Sequence, residues 1–113
     1  IRGEPIQVYG RSNQFDYVFA DDVAKGLVRL AEAQDASGVV NLATGTARSI
    51  EDVISVLERL FSDLTIQYID RNLPVESSEA DMSRFKQFTG WCPDTSLVDG
   101  IREVVKYERE RIG

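Results

Sequence analysis

Asp21 and Asp22 stand side by side, Cys92 precedes Pro93, and tyrosines occupy positions 9, 17, 68 and 107. In a chain of 113 residues these are the side chains that could carry acid–base or nucleophilic chemistry. There is no histidine, so neither a His-dependent triad nor a His general base can be assembled. Two adjacent carboxylates could act as an acid and a base. At the head of a helical pattern, however, they read as capping acids beside the positive end of the dipole. A thiol becomes nucleophilic beside a basic group, and none flanks Cys92, which reads as a buried or incidental thiol. A lysine four residues after a tyrosine could lower the phenol pKa, but Asn13, Asp21, Asn72 and Arg111 hold those places. No two glycines are separated by a single residue, so the chain contains no Gly-x-Gly-x-x-Gly loop and no Walker A. Its own residues present no catalytic set.

The remaining composition narrows the class. Hydrophobic residues make up 42% and charged residues 28%, enough apolar material for one folded domain. The net charge of −6 is spread evenly over the two halves, leaving no basic face for nucleic acid. No apolar run approaches the roughly 20 residues that span a bilayer, and no signal-peptide pattern opens the sequence. One cysteine without histidine excludes an internal disulfide and a zinc-type cluster, and points to a reducing, cytoplasmic setting.

The elements that must position any site follow from periodicity. Pro5 to Gly10 alternates as a half-buried strand, Arg11 to Gln14 is a polar loop, and Asp16 to Ala20 reads as a second extended segment. Asp21-Asp22 can cap a helix with Val23, Ala24, Leu27, Leu30 and Ala31 on its buried stripe. Gly26 inside that helix suggests close approach to another element. Val39 to Ala43 reads as a buried strand. Ser49, with Asp52 three residues on, starts a helix carrying Ile50, Val53, Leu57, Leu60 and Phe61. Leu64 to Ile69 follows as a strand, so 39–69 predicts a right-handed parallel βαβ unit. After the polar connection 70–80, Met82, Phe85 and Phe88 share one side of a short helix stopped by Gly90. Thr95 or Ser96 caps a last helix with Leu97, Ile101, Val104 and Val105 on its buried side and a charged tail, 106–111, that frays. The expected fold is α/β, with a βαβ unit, short extra strands and about four helices.

Several of these segments together resemble a known family. They are Pro5-Ile6-Gln7-Val8-Tyr9-Gly10; Asp16-Tyr17-Val18-Phe19-Ala20-Asp21-Asp22-Val23-Ala24; Val39-Val40-Asn41-Leu42-Ala43-Thr44-Gly45 with Ser49-Ile50; and Asp81-Met82-Ser83-Arg84. Gly90-Trp91-Cys92-Pro93 and Leu97-Val98-Asp99-Gly100-Ile101 complete the series. No piece is specific alone, but their order and spacing over nearly the whole chain resemble the C-terminal portion of an NAD-dependent epimerase/dehydratase of the extended short-chain dehydrogenase/reductase family.

The resemblance implies that residues 1–113 are a single substrate-binding lobe that normally packs on a Rossmann domain absent from this chain. That domain would carry the NAD or NADP loop and the catalytic Tyr and Lys, so this segment would bind no cofactor and contain no catalytic residue. The first long helix would pack partly toward it, which offers a reason for Gly26. The implied substrate is a nucleotide sugar, and the implied activity of the complete enzyme is that of an isomerase or lyase in nucleotide-sugar metabolism. Position by position, Asn41 takes the place of a family Asn near the diphosphate, or else only ties down the turn before Gly45. Arg71 stands ten residues before Asp81, as a family Arg does, and its planar fork suits phosphate oxygens. Tyr9 borders the pocket or fills a core or rim position.

Two departures stand out. Phe15 replaces an Arg that many members place before the position of Asp16, with Arg11 nearby as a substitute, and Asn72-Leu73-Pro74 replaces Pro-Gly-Asp. Two functions therefore remain open: the substrate-binding part of a nucleotide-sugar epimerase or dehydratase, or a non-catalytic interaction or regulatory module derived from that lobe.

Overall fold

A computed structural model describes residues 3–112. It is α/β, with four helices and four short strands among those residues. In chain order they are β1 (Ile6–Tyr9), β2 (Gln14–Phe15), α1 (Ala20–Glu32), β3 (Arg48–Ser49), α2 (Ile50–Leu60), β4 (Ile66–Ile69), α3 (Ser83–Thr89) and α4 (Leu97–Ile112).

The parallel pairing expected of the chain exists, but between other strands. β4 pairs with β1, Ile6 beside Ile66 and Tyr9 beside Ile69, and not with residues 39–43. Those residues form no strand, and Val39 is largely exposed, which corrects the expectation of a buried strand there. Branched apolar side chains favour extended backbone, but a strand also needs a hydrogen-bonding neighbour, and no described segment offers one. Residues 16–19 are likewise unpaired; the short strand falls earlier, at β2, antiparallel to β3.

Local signals hold more closely. Ser49 caps α2 with a full capping box: its hydroxyl accepts from the Asp52 N–H at 3.0 Å, and the Asp52 carboxylate accepts from the Ser49 N–H at 3.0 Å. Gly90 ends α3 in the left-handed conformation, φ 67°. Ser96 accepts from the Asp99 N–H at the start of α4. The charged tail stays helical as far as Ile112, helped by an Arg111–Glu108 ion pair at 2.7 Å. Asp21 and Asp22 do not cap α1. Phe19 is its N-cap, and both acids lie in the first turn. Asp22 is buried and accepts from the Thr95 N–H at 3.0 Å, fastening α1 to the approach of α4.

The buried apolar core is Val8, Ile54, Val56, Met82 and Phe85. They come from β1, α2 and the α3 region, with α1 packed on α3 and α2 on α4. Gly26 lets α1 approach this core. A Cβ there would lie 2.7 Å from Leu42 Cδ1 and 3.2 Å from Phe85 Cζ. The glycine therefore serves packing inside the chain rather than contact with a second domain. The expected apolar stripe of α1 is not its buried side, since Asp22 and Gly26 are buried while Ala24, Leu27 and Ala31 are exposed, as is Val28. The result is a slab of 49 × 40 × 18 Å with a radius of gyration of 16.8 Å. A compact chain of this length would have about 13 Å.

Candidate functional site

The parallel register sets the C-terminal ends of β1 and β4 side by side, Tyr9 against Ile69. In open α/β sheets that edge is where ligands bind, because the loops leaving adjacent strands diverge and open a crevice. Here residues 9–13, 70–71 and 73–76 line a cleft of about 460 Å³. Gly10 makes the first loop possible. Its φ is 61°, and a Cβ would lie 2.5 Å from Asn13 Nδ2. The turn closes with the Asn13 N–H donating to the Gly10 carbonyl at 2.9 Å.

The second loop is strapped to the first. Asn13 Oδ1 accepts from the Glu76 N–H at 2.9 Å, the Gln14 N–H donates to the Glu76 carbonyl at 2.8 Å, and the Ser78 N–H donates to the Gln14 carbonyl at 2.9 Å. Below the cleft, the N–H groups of Ile50 and Glu51 donate to the carbonyls of Asn13 and Arg11. The first turn of α2 thus holds the loop that bears Arg11.

Arg11, Asp70, Arg71 and Glu76 are the charged side chains of the cleft. The Arg71 guanidinium lies 4.8 Å from the centre of the Tyr9 ring and makes no ion pair among the described residues. Arg11 lies 4.9 Å from the Tyr68 ring and pairs with Asp70 at 3.1 Å. Each cation therefore lies within cation–π distance of an aromatic ring. The Tyr9 hydroxyl donates to Gln7 Oε1 at 3.3 Å, so it is the ring that serves Arg71.

Of the residues singled out from sequence, Tyr9 and Arg71 come together and Asn41 does not join them. The Asn41 amide donates to the Asp81 carbonyl at 3.2 Å, tying 41–45 to the head of α3. Arg11 reaches the same cleft as Arg71. Sequence reasoning missed Asp70 and Asn13, which the β1–β4 register alone would have placed. It also missed Asp16, which holds three segments together. Its Oδ1 accepts from the hydroxyl and the N–H of Thr44, and its Oδ2 from the N–H groups of Gly45 at 2.8 Å and Ala80 at 3.2 Å. Burial opposes its charge, but the bonds from Thr44, Gly45 and Ala80 outweigh it and hold the carboxyl below the usual aspartate value. Asp81 is held low by the hydroxyl and N–H of Ser83. Phe15 packs edge-to-face on Tyr17 with centroids 6.3 Å apart. The Cys92 thiol donates to the Thr44 carbonyl at 3.6 Å. Among the described residues no cluster could hold a metal, and no helix is long and apolar enough to cross a membrane.

No family model matches the chain. It is 28% identical to a UDP-glucuronate 4-epimerase of Thermodesulfobacterium geofontis, over 96% of this chain and 35% of that protein. It superposes on the UDP-glucose 4-epimerase of Thermotoga maritima, solved with UDP-glucose, with a TM-score of 0.85 and 29% identity, covering 99% of this chain and 37% of that one. It also superposes on MoeE5, solved with UDP-glucuronic acid and NAD, with a TM-score of 0.84 and 29% identity, covering 98% and 38%. The chain spans little more than a third of the length of these proteins. It is a homologue of the NAD-dependent UDP-sugar epimerases and dehydratases, the extended short-chain dehydrogenase/reductases, and corresponds to one portion of them.

Proposed function

We propose that residues 1–113 form the C-terminal substrate-binding lobe of an NAD(P)-dependent nucleotide-sugar epimerase or dehydratase, catalytically incomplete alone. The observation that carries this reading is the cleft at the β1–β4 edge, where Arg71 lies on the Tyr9 ring without a carboxylate partner. A guanidinium can donate two parallel N–H bonds to phosphate oxygens, and charge-assisted bonds are roughly twice as strong as neutral ones. Arg11, on the facing loop, supplies the cation missing at Phe15. Asn41 lies outside that cleft with its amide donating to the Asp81 carbonyl, so in this reading it takes the second of its two expected roles, tying down 41–45, and does not touch the diphosphate. The lobe's part is to bind the diphosphate, orient the sugar and exclude water.

The partner in this reading is a Rossmann domain seated on the open face of α1. Leu27 and Val28 are more than half exposed there. Exposed apolar side chains on a helix face are what such a partner would cover. The nicotinamide cofactor supplies hydride exchange when bound. No residue of this chain is assigned to it, since the sequence lacks the glycine spacing of a dinucleotide loop. The lone free thiol suits a cytoplasmic setting. The test is calorimetric titration with UDP-glucose: the protein binds it, and Arg71→Ala weakens binding by about tenfold or more.

A further inference from the structure

The cleft that would take the diphosphate is not a cationic one. Its lining carries Arg11 and Arg71 together with Asp70 and Glu76, so its charged side chains balance. The two arginines are also in different states. Arg71 is unpaired among the described residues, whereas Arg11 Nη2 already donates to Asp70 Oδ2 at 3.1 Å. Both partners are substantially exposed, with side-chain accessibilities of 38% for Arg11 and 68% for Asp70. Such pairs are individually weak and exchange readily for a better anion.

We propose that Asp70 is an internal competitor for the phosphate site. Its carboxylate occupies on Arg11 the position that a ligand phosphate oxygen takes, and it thereby sets the affinity of the cleft for nucleotide diphosphates. The inference rests on the nucleotide-sugar reading of the cleft and adds a residue to it. Asp70 follows the last residue of β4, and Arg11 lies two residues beyond the end of β1, so the β1–β4 register fixes the pair. The Tyr68 ring, 4.9 Å away, holds the guanidinium in the cleft whichever anion it meets. A diphosphate carries more charge than one carboxylate and offers more acceptor oxygens, so it displaces Asp70 without moving Arg11.

The experiment titrates the protein with UDP calorimetrically at about 20 mM salt, where surface charges are least screened. Wild type is compared with Asp70→Asn, Arg11→Ala and the double variant. Asp70→Asn is expected to bind UDP about two- to fivefold more tightly, the range of an exposed ion pair. In the Arg11→Ala background that gain falls toward one, because the competitor has nothing left to compete for. Unchanged or weaker binding by Asp70→Asn, or an undiminished gain without Arg11, overturns the proposal. If neither wild type nor Asp70→Asn binds UDP, the nucleotide-sugar reading itself fails and the competitor role falls with it. Asp70 is exposed, so Asp70→Asn is expected to melt as wild type does.

Discussion

The Arg71 guanidinium lies over the Tyr9 ring at 4.8 Å, joining the residue that ends β1 to one just past the end of β4. The parallel register brings the two residues together. Tyr9→Leu removes the platform and leaves the charge. UDP-glucose affinity is expected to fall about two- to fivefold, the worth of an exposed cation–π contact. Calorimetry on the variant checks this. Unaltered affinity would mean that the ring does not orient Arg71 for binding.

Asp16 makes the fold acid-sensitive. Its carboxyl is held low in the folded protein by Thr44, Gly45 and Ala80, against the opposing effect of burial. A depressed folded pKa means stabilisation that is complete above the unfolded value of about 3.9 and is lost as pH falls through the folded value. Urea midpoints are therefore expected to drop as pH is lowered below about 4. Asp16→Asn is expected to cost about 1–3 kcal/mol at neutral pH and to flatten that drop. Asp81 shifts in the same direction, so some acid sensitivity persists in the variant. An acid dependence identical to wild type would contradict the role of Asp16.

Gly26 separates helix propensity from packing. Alanine gains up to about 1 kcal/mol of intrinsic helix preference over glycine. Its Cβ would press on the flexible end of Leu42 at 2.7 Å and on the buried Phe85 ring at 3.2 Å. Gly26→Ala is therefore expected to be near neutral, as Leu42 yields. Gly26→Val, which must also displace Phe85, is expected to lose about 2–3 kcal/mol. Thermal melts of the two variants check this, and a stabilised Gly26→Val would refute the close approach.

Ser49→Ala removes the hydroxyl half of the capping box on α2, whose first turn also donates to the carbonyls of Arg11 and Asn13. The expected cost is about 1 kcal/mol, read from the denaturation midpoint. No change would mean that the loop carbonyls, rather than the cap, fix the start of the helix.

What the sequence discloses and what it hides divide along the range of the interaction. The Ser49–Asp52 box, the Gly90 stop and the Met82–Phe85–Phe88 side are set by residues within one or two turns, and periodicity finds them. The β1–β4 pair joins distant parts of the chain, and nothing local distinguishes β1 from 39–43 as the partner of β4. With that partner misjudged, Arg11 and Asp70 could not be brought together, although Arg71 could be named from family spacing and Tyr9 from its place at the end of the first strand. The stripe on α1 has true helical spacing, yet it marks a face that the described residues leave open. Periodicity reports that a face is apolar and says nothing of what covers it. Asp16 escaped because its partners, Thr44, Gly45 and Ala80, come from two other loops with no shared local pattern.

Arg71 in the β1–β4 cleft is proposed to bind the diphosphate of a nucleotide sugar. Calorimetric titration of wild type, Arg71→Lys and Arg71→Ala with UDP-glucose measures this. Wild type is expected to bind, with an intermediate loss for lysine, which keeps the charge without the fork, and a loss of about tenfold or more for alanine. No binding by wild type, or equal affinity in Arg71→Ala, would contradict it.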